Sequence, residues 1–442
     1  MSIDLKYGVP TVCLHTSMFV TVTRSVVRMN GAPRMRQVYL PHPVMGKTAE
    51  QIRSYVFGVS PITRKPVMQE VVEGLTQAPN DEERDEDRQG LTFARTTPRL
   101  CEPASEAELN QLFLDNNWTD KLPIVLPTVE RVAEMMQHTR RKADEVVGHH
   151  TATHFREVWE CTVEQVAVNA VMAGARPEYL PVILAIAATG ASARGSSTSS
   201  MASMAVVNGP VRNEIGMNAG TGAMGPYNHA NATIGRAFGL LSQNLQGGSV
   251  PGDTYMGSMG NALAYASPAF AENEERSPFE PLHVERGYRP EQSVVSVFVG
   301  MRHMAFTLGL RHAHWRDHVR NMLRGMDPNE SPTFLLDPIA ARLFQDVGGL
   351  KTKKELIAWI CENARMPAGE YWDYQLVQNY LYPRATFGEE PLATKLRAAA
   401  DEMIPMWTPE QVNVVVVGGE TNGYWRIAGA RLAGSACVDD WR

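Results

Sequence analysis

The chain has 442 residues, a formal net charge of −6 and a pI near 6.1. Hydrophobic residues make up 44% and charged residues 20%, which is typical of a globular protein long enough for more than one domain. The slight acidity argues against a general nucleic-acid binder, which would carry a basic face. The five cysteines are widely spaced and form no CxxC pair, which argues against a structural zinc site and a disulfide framework.

Targeting signals are not visible in the sequence. The N-terminus carries Asp4 and Lys6 and lacks a long apolar core, so no secretory signal is indicated. The longest apolar run, Tyr179–Ala188, is too short to span a bilayer. We therefore expect a cytoplasmic protein that binds neither membrane nor nucleic acid.

The first elements in chain order predict a small α/β unit. Residues 8–14 and 38–40 have the pattern of strands, and residues 17–29 carry apolar positions at helical spacing. A strand, a helix and a second strand usually build a parallel sheet. Two strands do not make a stable sheet alone, so we expect the rest of the sheet to come from elsewhere.

The charge pattern divides the chain into segments. Residues 80–89 are highly charged and contain no aromatic residue, as in a solvated linker. We predict an α/β fold with a partial flavodoxin- or Rossmann-like unit over 1–76, a charged linker over 77–105, and a larger mixed α/β (α+β) domain over 106–442.

In the larger region the apolar periodicity predicts several elements, and no internal repeat is evident. We expect helices near 129–136, 162–173, 230–246, 302–320 and 396–404, strands at 293–299 and 414–417, and a flexible loop over 190–204.

The densest cluster of glycine and asparagine lies at residues 208–236, NGPVRNEIGMNAGTGAMGPYNHANATIGR. Glycines let the backbone approach a ligand, and the loop runs into a predicted helix N-terminus that favours an anion, with Arg236 adding charge. GTGAMG fits GxGxxG, but no predicted strand ends just before it, so the cofactor stays unknown. A tight structural loop is the alternative. The residues predicted to bind substrate here are Asn208, Gly209, Asn218, Gly220, Gly222 and Asn231.

The second cluster is AENEERSPFEPLHVERG, at residues 271–287. Prolines fix its backbone, and carboxylates beside His and Arg can serve as acid, base and anion clamp. We predict proton transfer by Glu272, His283 and Glu285, with Asn273 and Arg286 binding substrate. His283 and Glu285 would share one strand face. A solvated acidic loop is the alternative.

Weaker candidates lie elsewhere in the chain. His149, His150 and His154 could hold a metal if the segment were helical. Cys161 could act as a thiolate at a helix N-terminus, although a buried structural cysteine is the more common outcome. Gly419 and Glu420 could meet a ligand after the 414–417 strand. A group of four histidines, His303, His312, His314 and His318, is expected on a surface or interface helix.

Two stretches resemble the UGSC-like (seleno)protein family. YGVPTVCLHTSMF and RSVVRMNGAPRMRQVYLPHPVMGK resemble the C-terminal half of a UGSC domain. WTDKLPIVLPTVERV, VNGPVRNEIGMNAGTGAMGP and AENEERSPFEPLHVERG resemble its companion domain. The resemblance implies nucleophilic or redox chemistry at a thiol or selenol loop that precedes the Gly-Val-Pro-Thr strand. No Gly-Ser-Cys stretch precedes that strand in this sequence, so we expect the protein to lack the loop.

A partner subunit could supply the missing loop, or the protein could work without it. Together with the incomplete sheet, this predicts a hetero-oligomer in which Val9–Leu14 pairs with another chain. The expected function is that of an enzyme subunit acting on a small anionic or polar organic molecule. The reaction would be hydrolysis or elimination at a carbon–heteroatom bond, or thiol-based redox. A non-catalytic partner of a thiol-bearing subunit and a His-ligated metalloenzyme are the alternatives.

Overall fold

The computed structural model describes residues 9–20, 23–24, 27, 35–44, 46–78, 99–150, 159–194, 200–245, 251, 255, 257–265, 267–302, 304–308 and 313–442. The chain divides into two compact units. Unit 1 comprises residues 1–103, 151–159 and 246–255, and unit 2 comprises residues 104–150, 160–245 and 256–442. Within the described ranges no helix is long and apolar enough to cross a membrane.

Unit 1 contains a two-stranded parallel sheet and two helices. Strands β1 (Val12–Thr16) and β2 (Arg36–Leu40) pair in parallel, which confirms the predicted sheet. Helices α1 (Ala49–Val56) and α2 (Val67–Thr76) follow, and a small core forms from Val38, Leu40 and Val67. The predicted 17–29 helix begins as a short 3-10 turn, and much of it lies outside the described residues, as does most of the 77–105 segment.

Unit 2 holds the remaining elements. Its helices are α3 (Glu106–Asp115), α4 (Val129–Met136), α5 (Val163–Met172), α6 (Leu180–Ala188), α7 (Val211–Glu214), α8 (His229–Leu245), α9 (Leu282–Glu285), α10 (Trp315–Arg324), α11 (Pro338–Asp346), α12 (Lys353–Asn363), α13 (Ala368–Asp373), α14 (Gln375–Tyr380), α15 (Tyr382–Thr386) and α16 (Leu392–Arg397). Its strands are β3 (Val146–His150), β4 (Trp159–Thr162), β5 (Ala202–Asn208), β6 (Ala269–Ala271), β7 (Val294–Met301), β8 (Met304–Leu308), β9 (Pro332–Leu336), β10 (Arg365–Pro367), β11 (Met403–Pro405), β12 (Asn413–Val416), β13 (Tyr424–Gly429) and β14 (Arg431–Cys437).

Two four-stranded sheets of unit 2 share one topology. Their strand orders are β6-β5-β7-β14 and β12-β9-β13-β8, and in each the first pair is parallel and the next two pairs are antiparallel. The sheets exchange their fourth strands, because β7 passes directly to β8 and β13 passes through Ala430 to β14. The duplication is one of topology, which the sequence does not reveal as a repeat.

The two sheets pack face to face between helical layers. Phe270, Phe298 and Val206 of one sheet share a buried cluster with Leu335 and Val415 of the other. The opposite face of the first sheet packs against α5, α6 and α8, and that of the second against α10, α11 and α12. Helix α6 is the long apolar run of the sequence and is buried in this core rather than in a bilayer. The α/β prediction is confirmed as a four-layer α/β/β/α arrangement.

Some predicted boundaries were wrong. Residues 302–320 are not one helix, since Met304–Leu308 pairs with β13 and the helix begins at Trp315. In the predicted 396–404 helix, α16 ends at Arg397 and Met403–Pro405 is a strand. Short apolar runs fit both periodicities, and sheet pairing decides between them. The predicted loop over 190–204 gives way to β5 at Ala202.

Candidate functional site

The carboxyl ends of three strands meet at one place in unit 2. The Glu272 N–H, just after β6, donates to the carbonyl of Val207 in β5 at 3.1 Å. The next N–H, of Asn273, donates to the carbonyl of Val416 at the end of β12 at 2.7 Å. The end of β6 therefore bridges the two sheets. This brings together the clusters predicted at 208–236 and 271–287 and the end of the predicted 414–417 strand, which Gly419 and Glu420 follow.

Glu272 is the centre of this junction and is fully buried. Its Oε2 accepts hydrogen bonds from Asn208 Nδ2 at 2.6 Å and from the Leu282 N–H at 2.7 Å. Its Oε1 accepts from Lys353 Nζ at 3.2 Å and from the Val416 N–H at 3.4 Å. Donors from four segments thus converge on one carboxylate. This arrangement satisfies a buried charge that would otherwise be very costly.

Lys353 is a member of the site that the sequence did not reveal. It is the first residue of α12, is 5% exposed, and lies 3.2 Å from Glu272 and 3.6 Å from Glu285. The Thr352 capping box, with Glu355 at its third position, could have predicted the helix start. The capping box does not indicate that the Lys353 side chain points into the protein, because that direction depends on where α12 packs.

A second ionic group extends the junction toward the surface. Arg212 makes a two-pronged contact with Glu275, at 2.9 and 2.5 Å, and its Nε lies 3.2 Å from Glu274. Glu274 also accepts from the Gly209 N–H at 2.8 Å and from Asn208 Nδ2 at 3.0 Å. The hydrogen bonds from Arg212 lower the pKa of Glu275 to about 2. Asn208 therefore links both carboxylate groups.

The asparagines of the Gly/Asn loop mainly hold the loop itself. Asn231 accepts from the Asn218 N–H at 3.1 Å and donates to the carbonyls of Asn218 and Ala223, each at 2.9 Å. Asn218 in turn accepts from the Gly220 N–H at 2.9 Å. Gly222 has a φ of +77°, a conformation that favours glycine. These side chains shape a backbone cradle.

The predicted anion-binding features next to this loop are partly occupied. Asn228 accepts from the Asn231 N–H at 3.0 Å and so takes up one free donor at the start of α8. Arg236 contacts both carboxylate oxygens of Asp120, at 2.9 and 3.0 Å. Arg236, expected to add charge to the loop, is paired with this carboxylate, which is buried and comes from a distant segment of the chain.

The 418–420 turn closes over the loop. The Gly418 N–H donates to the carbonyl of Ala219 at 2.8 Å, and Asn273 Nδ2 donates to the carbonyl of Gly418 at 3.0 Å. A Cβ on Gly419 would lie 2.0 Å from Thr221 Oγ1, so any other residue there would force Thr221 to shift. Beyond the turn, Arg342 donates to Glu420, and Arg276 lies 3.9 Å from the same carboxylate. Arg342 was not identified from the sequence.

His283 and Glu285 do not share a strand face. They lie in the short helix α9, where residues two apart point in different directions. His283 is fully buried, with Nε2 3.3 Å from the carbonyl of Pro290. The Glu285 side chain is 22% exposed and lies 3.8 Å from Arg286, which donates to Asn413 Oδ1 at 2.7 Å. Proline is favoured at the start of a helix, so the prolines before α9 are compatible with a helical turn. The prediction of a strand for this segment did not take this into account.

The remaining candidates lie elsewhere. Cys161 lies within β4 and is fully buried in the hydrophobic core with Val163 and Ala167. His149 and His150 end strand β3, so their segment is extended up to His150 and not helical. Their side chains, and all of His154, lie outside the described residues. Over the described ranges no group of three or more His, Cys, Asp or Glu side chains is arranged to hold a metal ion.

The histidine group is also not a helical face. His314 precedes α10 and His318 lies within it, whereas His303 and His312 fall outside the described residues. Strand β8 lies in the sequence between position 303 and helix α10. The prediction of one helix that carries all four was therefore wrong.

Comparison with known proteins assigns only the N-terminal segment. Residues 3–68 match the model of the UGSC family, which confirms the resemblance of that segment. No curated protein and no solved structure matches the chain. The similarity of the larger region to the companion domain stays a prediction, so its function has to be argued from its own geometry.

Proposed function

We propose that unit 2 is an enzyme subunit acting on a small organic molecule with polar and anionic groups, bound at the carboxyl ends of β5, β6 and β12. The observation that carries this proposal is the convergence of three predicted stretches at that junction. In α/β proteins, ligands bind in the crevice beyond the carboxyl ends of parallel strands. Both parallel pairs, β5–β6 and β9–β12, end on this side of the unit.

Buried polar atoms without hydrogen bonds support a ligand with donor groups. Within the described chain, Asn208 Oδ1, His283 Nδ1 and Glu285 Oε2 have no hydrogen-bond partner. Because His283 Nε2 faces a carbonyl, its Nδ1 is an acceptor in the neutral ring, so all three atoms accept. Such atoms call for water or a ligand. Glu285 Oε2 already lies 3.6 Å from Lys353 Nζ, and hydroxyl groups of a substrate would satisfy Asn208 Oδ1 and His283 Nδ1.

Among the predicted proton-transfer residues, Glu285 is the best placed. Glu272 is occupied by four donors and positions its neighbours, whereas Glu285 is partly exposed and has an oxygen without a hydrogen bond. Lys353 at 3.6 Å and Arg286 at 3.8 Å flank Glu285. A carboxylate base beside two cations suits proton abstraction with stabilisation of the developing anion. This favours elimination or hydrolysis at a carbon–heteroatom bond.

The substrate carboxylate would meet the two arginines at the rim. Arg276 and Arg342 approach Glu420 from separate segments and are 66% and 40% exposed. Guanidinium groups bind carboxylates through paired hydrogen bonds. A hydroxy acid carries both a carboxylate for the two arginines and a hydroxyl group for the buried acceptors.

The test is turnover of defined probes. L-Malate would report elimination and 2-chloropropionate hydrolysis, each followed by proton NMR of the purified protein. We expect activity on one of them to fall at least a hundredfold in Glu285→Gln, which removes the base. Glu291→Gln, at an exposed glutamate that pairs with Arg289, is the matched control. Equal activity of both variants would contradict the role of Glu285.

Thiol-based redox chemistry would place its reactive thiol on a second chain. Cys161 is buried in the core and so is not placed to react. The proposed source of the thiol is a partner that pairs with the two-stranded sheet of unit 1. Val9, Leu14 and Met18 around β1 are each about half exposed, as expected of an edge that another strand covers. A monomeric state of the pure chain in light scattering, unchanged by candidate partners, would argue against this hetero-oligomer.

A non-catalytic partner protein is the second candidate. Asn231 and Glu272 have their hydrogen-bonding atoms occupied by the chain itself, as in a rigid scaffold. This role predicts that the protein stabilises a thiol-bearing subunit while ligand density in their complex lies only in the other chain. Ligand in the Gly/Asn loop would decide for the enzyme.

A further inference from the structure

An open cleft of about 390 Å³, lined mainly by charged and amide side chains, lies in the second half of unit 2. Helix α10 supplies Asp317, Arg320 and Arg324, and the end of α12 with β10 supplies Glu362, Asn363 and Arg365. The α10 residues lie at helical spacing on one face, opposite the buried Val319 and Leu323. The cleft volume is within the range of sites for small molecules.

Three guanidinium groups line this cleft, and one is held in place by neighbours. Arg320 donates to Asn363 Oδ1 from Nε at 3.1 Å and from a terminal nitrogen at 2.6 Å, and to Asp317 at 3.0 Å. Arg365 uses one nitrogen on the carbonyl of Met403. A guanidinium has five N–H donors, so most donors of the set stay available to an anion.

The charges do not cancel within the cleft. Asp317 is committed to Arg320, and Glu362 is the remaining carboxylate against Arg324 and Arg365. Arg324 ends α10, where a cation is favoured by the helix dipole, and it is exposed. The cleft therefore offers an anion site beside carboxylate and carboxamide acceptors.

We propose that this cleft binds a small phosphorylated polyol, such as a sugar phosphate. The phosphate contacts Arg324 and Arg365, since arginine pairs with phosphate oxygens through two parallel hydrogen bonds. The hydroxyl groups donate to Glu362 and to the side-chain oxygen of Asn321, which also lines the cleft, because Asn363 Oδ1 is taken up by Arg320. A purely anionic ligand would leave Glu362 facing like charge.

This site is separate from the junction at the strand ends. Lys353 begins α12 and Asn363 ends it, so the two places lie at opposite ends of one helix. Eleven residues rise about 15 Å along a helix axis. Binding in the cleft does not depend on the proposed chemistry at Glu285.

The experiment is calorimetric titration of the full chain with glucose 6-phosphate, glucose and inorganic phosphate. We expect saturable binding of glucose 6-phosphate, at least tenfold tighter than phosphate and with no heat from glucose. Arg324→Gln and Arg365→Gln should each weaken binding about tenfold. Arg131→Gln, at an exposed helical arginine outside the cleft, should leave it unchanged.

Three results would overturn the assignment. They are no saturable binding of glucose 6-phosphate, affinity unaffected by both cleft variants, and phosphate binding as tightly as the sugar phosphate. Circular dichroism of each variant checks that it is folded. Because both arginines are exposed, their replacement leaves the core intact.

Discussion

Breaking the buried pair of Glu272 and Lys353 should strongly destabilise unit 2. In Lys353→Met the carboxylate stays fully buried and loses its cationic partner. Removing one member of a buried ion pair costs about 3–5 kcal/mol. In Glu272→Gln an amide NH₂ group replaces one of the two acceptor oxygens. At the Oε2 position it faces the donors of Asn208 and Leu282, and at the Oε1 position it faces those of Lys353 and Val416. We expect a loss of similar size there.

The two changes should not be additive. Once the carboxylate is gone, removing the lysine no longer strands a charge, so the double variant should be at least about 2 kcal/mol more stable than the sum of the single losses predicts. Urea unfolding followed by fluorescence of buried Trp407 and Trp425 measures this cycle. A loss below about 1 kcal/mol in Lys353→Met, with no coupling, would refute the argument that this pair organises the junction.

Other parts of unit 2 give three further predictions. Burial lowers the pKa of Lys395 to about 8, which penalises its charge by about 3 kcal/mol at neutral pH. Lys395→Met should therefore stabilise by about 2 kcal/mol after loss of one hydrogen bond, and in pH-dependent urea unfolding this gain should shrink as pH rises from 8 through 10.5. Glu275→Gln should cost under about 1 kcal/mol because the Arg212 pair is partly exposed. The Glu275 contribution is complete above pH 4.5 and is lost as pH falls through about 2, so the variant and the parent should converge in acid. Gly209→Ala should destabilise far more than Gly216→Ala by thermal unfolding, since both have positive φ but only at Gly209 would the Cβ meet a carbonyl, at 2.2 Å; equal losses would contradict this.

The sequence predicted elements with long, regular periodicity and missed those that depend on distant partners. Helices α5 and α8 begin and end within a residue or two of the expected positions, because their apolar faces repeat over several turns. Strand β8 has five residues and acquires its identity only by pairing with β13. The topological repeat of the two sheets leaves no trace in local composition.

The same distinction applies to the candidate site. Clusters near Asn208 and Glu272 were visible because glycine, asparagine and carboxylates are concentrated there in the sequence. Lys353 and Arg342 come from helices of otherwise ordinary composition, and packing of the second sheet brings them to the site. A side chain's direction on a docked helix cannot be read from its neighbours in the chain.

The exchanged fourth strands bear on how the chain can fold. The sheet that contains β5 and β7 is completed by β14, which follows after the whole second sheet has been traversed. During synthesis the edge of β7 therefore stays unpaired until β14 has been made. Completing the sheet then requires contacts between residues far apart in the sequence. A fragment that stops after β7 would expose an apolar edge and aggregate. The two four-stranded sheets therefore cannot be divided into independent domains, although their topologies match.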